Sequence, residues 1–220
     1  LCEKPMAATP FYVESIRKNL YSPEELCYFL GTNIPLADSA VLNPSLALWL
    51  GEMCGYEDSD RLFVLLSEEN GAKEGLKMIL KTSHYYSQPQ VQKLCEQIDV
   101  FENLPDTEKM KQRADALMEY GKVIQAAKSY EAVIRMTGIS ETTKEFQSSV
   151  YYSCGCAYAK LFQMKKAAEC FEKAYELTPG EKTGNAVLYI AYMDGGKESF
   201  LKKAKALDDQ EDAEKAETQA

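Results

Sequence analysis

Histidine and tryptophan are nearly missing from this chain: His84 and Trp49 are the only ones in 220 residues. A single histidine excludes metal sites built on two, HExxH among them. No glycine-rich phosphate loop and no GxSxG elbow occurs either. His84 stands in a Ser-His-Tyr-Tyr run at the end of a helical pattern, where a histidine suits the helix dipole, so a general-base role is not expected of it. Long apolar runs are lacking as well. Residues 62–66 are among the longest, far short of the roughly 20 that a membrane helix needs. Residues 1–10 hold no long apolar stretch, so no secretory signal peptide is expected there. Basic charge is in deficit: 25 Lys and Arg against 34 Asp and Glu give a net charge of −9. That balance argues against broad binding to nucleic acid or anionic membranes.

Cysteine is present but not in pairs. Seven are scattered along the chain with no CxxC, which points to buried thiols in a reducing cytoplasm and not to a disulfide framework. Cys154 and Cys156 lie two apart on a helical pattern. Their thiols then point to different sides, and no third or fourth ligand is near in sequence, so zinc is not expected. No cofactor, no metal and no enzymatic step follow from these residues.

What is present is helix. A short helix is expected over 11–20, from Phe11, Tyr12, Ile16 and Leu20. Ser22-Pro-Glu-Glu opens the next, with Glu25 completing a capping box and Gly31 ending it. Asn43-Pro44 starts another, closed by Gly55. Further helices are expected over 59–69, 73–85 and 88–103, with a break at Asn70-Gly71. No stretch reads as a strand, and the fold class is expected to be all-α.

Residues 148–181 organise the rest. Tyr151, Gly155 and Tyr158 mark one helix, and Ala167, Phe171 and Ala174 a second that Pro179 closes. A small residue at the middle of one helix and small–large–small spacing on the next let two backbones approach closely. Gly155 costs about 1 kcal/mol of helix propensity against alanine, so packing must require it. This pattern resembles a tetratricopeptide repeat, a helix–turn–helix unit of 34 residues that stacks on its neighbours. Residues 107–138 resemble a degenerate copy, through Ala114, Leu117, Ala126, Tyr130 and Val133, with Gly138 in the place of Pro179. The surplus before the next copy falls in 139–147. Residues 182–207 resemble a truncated third copy, with Gly195-Gly196 as its turn and Phe200, Ala204 and Leu207 on its last helix.

The resemblance implies a short α-solenoid of stacked helical hairpins over 106–208, behind an α-helical N-terminal region, 1–105, and ahead of an acidic disordered tail, 209–220. It also implies that first helices line a groove for a partner peptide or helix. The groove positions fall on Lys111, Asp115 and Met118, then Ser149, Tyr152, Cys156 and Lys160, then Ala186, Ile190 and Met193. The carboxylate clamp used by chaperone-binding repeats is not expected, because Asp115 stands where an amide is wanted. A non-enzymatic adaptor or scaffold in the cytoplasm, with a protein or peptide partner, is the function this implies. Self-association through the ends of the stack stays open. A second reading takes 16–55 as a lambda-repressor-like helix–turn–helix in a transcription regulator. It is disfavoured because 32–42, where the recognition helix belongs, holds no Lys or Arg and contains Pro35.

Overall fold

The computed structural model describes residues 6–137 and 142–218, with side chains up to 209. The chain divides into two compact units, 1–120 and 121–220. The expected first repeat copy, 107–138, is thereby divided between them, and its Gly138 lies outside the described residues.

The first unit begins with a correction. Residues 11–20 form a β-hairpin, not a helix: β1 (Phe11–Val13) pairs antiparallel with β2 (Lys18–Leu20) in the register Phe11↔Leu20 and Val13↔Lys18. Aromatic and β-branched residues at 11–13 favour extended backbone, and Pro10 restrains the residue before it in the same sense. Val13, Ile16 and Leu20 turn inward and are buried. The Trp49 indole N–H donates to the Thr9 carbonyl at 2.7 Å, and its ring lies 5.7 Å from Phe11, which ties the hairpin to the helix that carries Trp49.

Six helices follow: α1 (Pro23–Thr32), α2 (Pro44–Cys54), α3 (Ser59–Ser67), α4 (Ala72–Thr82), α5 (Gln88–Glu102) and α6 (Asp106–Glu119). Ser22 accepts from the Glu25 backbone N–H at 3.2 Å, and Asn43 accepts from those of Ser45 and Leu46. Both side chains satisfy donors that a helix start leaves orphaned. Gly55 closes α2 in the left-handed region, as the sequence implied. Gly31 does not close α1. It lies inside the helix, and a Cβ there would meet the Tyr86 hydroxyl at 2.5 Å. Its smallness seats a tyrosine that comes from beyond α4. Between α1 and α2 stands only a 3-10 turn, Ile34–Leu36, so no recognition helix occupies 32–42.

The second unit holds α7 (Val123–Thr137), α8 (Lys144–Lys160), α9 (Met164–Leu177) and α10 (Glu181–Thr218). Each packs against the next in order, which is the stacking of a short tetratricopeptide-like solenoid. Among the described residues the fold is all-α apart from the hairpin. Part of the sequence surplus before 148 becomes an extra first turn of α8, capped by Thr143. Helix α10 is broken at Gly196, with φ 68° and ψ −159°. That conformation is essentially confined to glycine, and it supplies the turn expected at Gly195-Gly196. The backbone stays helical to Thr218 through the stretch expected as an acidic tail.

Candidate functional site: the open side of helix α8

Helix α8 has two faces because its hairpin with α9 is close-packed. Cys154, Gly155, Ala157 and Tyr158 are buried, as are Ala167, Phe171 and Ala174 of α9. A Cβ on Gly155 would stand 2.6 Å from the Phe171 ring, so this glycine sets the distance between the helices. The Ser148 hydroxyl donates to the Ala174 carbonyl at 2.8 Å, bonding the start of α8 to the last turn of α9. The Tyr158 hydroxyl donates to the Glu131 carboxylate of α7, and the Lys166 ammonium sits 5.0 Å from the Tyr158 ring centroid.

The other face carries Ser149, Tyr152, Cys156 and Lys160, spaced three or four apart along one stripe. The Tyr152 ring lies 5.6 Å from that of Phe171, and the Lys182 ammonium at the start of α10 stands 4.3 Å from its centroid. Burial raises the Tyr152 hydroxyl above its ordinary value, helped by its contact with Cys156. Burial likewise pushes the Cys156 thiol up, against the hydrogen bond from Tyr152 and the charges of Lys182 and Lys160. A thiol held protonated is a poor nucleophile. Cys154 faces the opposite way, and its free thiol shares a hydrogen bond with that of Cys170, which raises Cys154 and lowers Cys170. The two cysteines of the Cys-Gly-Cys run thus serve different sides of one helix.

The remaining groove positions separate. Ala186 is half-buried and Met193 is 46% exposed on α10, whereas Ile190 is 2% exposed. Ile190 is a core residue and is corrected out of the groove. Lys111 and Asp115 pair with each other at 2.8 Å on α6 of the first unit, beside half-buried Met118. His84 follows α4 in an exposed left-handed turn, φ 54°.

Two exposed aromatics escaped the sequence reading. Tyr189 and Tyr192 of α10 are 62% and 54% exposed. With Leu188, Phe200 and Leu201 they line a cleft of about 490 Å³ across the Gly196 break, where Tyr192 and Phe200 stand 6.4 Å apart. The signal was their spacing after Asn185, which puts 185, 188, 189 and 192 on one helical stripe.

Residues 148–181 match the family model for the tetratricopeptide repeat. No curated protein and no solved structure matches the chain. The chain therefore carries a tetratricopeptide repeat, a protein–protein interaction module, at the hairpin where α8 and α9 close on Gly155. Among the described residues no helix is long and apolar enough to cross a membrane.

Proposed function

We propose that this protein is a non-enzymatic adaptor or scaffold that holds a segment of a partner protein on the open side of α8 and the adjoining start of α10. The observation that carries the reading is the Tyr152 cluster: an aromatic ring wedged on Phe171 with the Lys182 ammonium against it. It is the fixed, amphipathic kind of anchor that contact surfaces favour. Lys160 and Met193 flank it as exposed, adaptable side chains. The two lysines in a chain of net charge −9 favour a partner segment that carries acidic residues.

The test is affinity capture from native extract with wild type and a Lys160→Glu, Met193→Ala double variant. Both positions are exposed, so the fold is expected to survive, as thermal melting checks. A partner retained by wild type and lost by the folded variant supports the reading. Equal retention by both moves the contact to another surface.

A further inference from the structure

Away from the open side of α8, two sulfurs meet across the hairpin. Cys154 and Cys170 are both free thiols, and they share a hydrogen bond between α8 and α9. The register of the two helices sets them opposite each other. Ser148 bonds to Ala174 at one end of the hairpin, and Lys166 reaches the Tyr158 ring at the other. Cys154 stands one turn before Tyr158, and Cys170 one turn after Lys166. A disulfide requires two backbones held close. Here a Cβ on Gly155, the neighbour of Cys154, would stand 2.6 Å from the ring of Phe171, the neighbour of Cys170.

The two sulfurs differ in access and in charge. Cys154 is 1% exposed, whereas Cys170 is half-buried. The hydrogen bond from Cys154 favours a thiolate on Cys170, and the Lys166 ammonium acts in the same sense, against burial, Glu169 and Glu131. Burial pushes Cys27 and Cys54 up to about 11 instead. The thiolate is the form that peroxides oxidise. We propose that Cys154 and Cys170 form a reversible disulfide when this protein meets hydrogen peroxide, with Cys170 as the attacking sulfur and Cys154 as the resolving one. In the first step the Cys170 sulfur bonds to one peroxide oxygen and the O–O bond breaks. Cys170 is oxidised to the sulfenic acid, and the peroxide is reduced to hydroxide, which takes up the thiol's proton as water. In the second step the Cys154 sulfur attacks that of Cys170 and the S–O bond breaks. The departing hydroxide leaves with the Cys154 proton as a second water. A small dithiol reopens the bond by exchange. Neither cysteine lies on the open side of α8, so oxidation and partner binding are separable.

The test treats the full folded chain with an equimolar amount of hydrogen peroxide, blocks the remaining thiols with N-ethylmaleimide and maps the digest by mass spectrometry. A linked Cys154–Cys170 peptide pair, lost on treatment with dithiothreitol, is expected as the main oxidised product. Dimedone, which traps sulfenic acids, separates the roles. Cys154→Ala should accumulate the dimedone adduct on Cys170, and Cys170→Ala should leave Cys154 unlabelled. Circular dichroism checks that each variant is folded, and the wild-type map needs neither. No linked pair, a mixture of pairings like that of the urea-unfolded chain, or an adduct on Cys154 instead of Cys170 would each overturn the proposal.

Discussion

At the scale of the residue, two glycines of the second unit make opposite demands. Gly155 faces the Phe171 ring, which a Cβ would meet at 2.6 Å, whereas a Cβ on Gly184 would meet Tyr175 at an ordinary 3.5 Å. Gly155→Ala should destabilise the protein by about 1–3 kcal/mol, since overpacking outweighs the gain in helix propensity. Gly184→Ala should stabilise it by about 0.5–1 kcal/mol, because only propensity changes. Urea denaturation of both variants checks the signs. Asp99 makes a different demand. Lys73 and Lys77 each approach its carboxylate to 2.7 Å and hold it down at about 2, against an ordinary 3.8. A depressed carboxylate contributes stability above its unfolded value, and that contribution is lost as pH falls from about 4 towards 2. Asp99→Asn should therefore lower stability at neutral pH and flatten the acid limb of a stability–pH curve. An unchanged limb would show that these ion pairs do not act on folding.

At the scale of the element, the break in α10 rests on one residue. Gly196→Ala places a Cβ at φ 68° and ψ −159°, a conformation that costs roughly 1–3 kcal/mol for other residues. Hydrogen exchange should show faster opening on both sides of 196, with α8 and α9 unchanged. Elements also show what a sequence can disclose. The α8–α9 hairpin was legible because close packing dictates residue type: Gly155, Ala167 and Ala174 must be small, and Phe171 fills the gap they leave. The β-hairpin was not. Phe11, Tyr12, Ile16 and Leu20 fit a helical period as well as they fit two short strands, and three-residue strands are too short for alternation to decide. Ile190 was misplaced for a related reason. Repeat spacing put it with the groove, but Ile190 is 2% exposed: spacing along one helix does not say which of its sides the neighbouring helix covers. Gly31 followed local helix-end chemistry until a tyrosine from far along the chain explained it.

At the scale of the whole molecule, the surface proposed to meet a partner is the α8 face of the second unit. That 149, 152, 156 and 160 share one stripe was legible in the sequence, because they recur three or four apart along a single helix. The cleft across the Gly196 break was not, since it is the backbone conformation at 196 that brings Phe200 beside Tyr192. The central claim, that the open side of α8 meets a partner protein, is tested most directly by site-specific photo-crosslinking in native extract. A photoreactive residue at Lys160 samples that side, and one at the exposed Lys173 of α9 samples a control position. The account predicts a discrete protein adduct from position 160 and none of that mass from position 173. Adducts from 173 alone, or the same adduct from both, would contradict it.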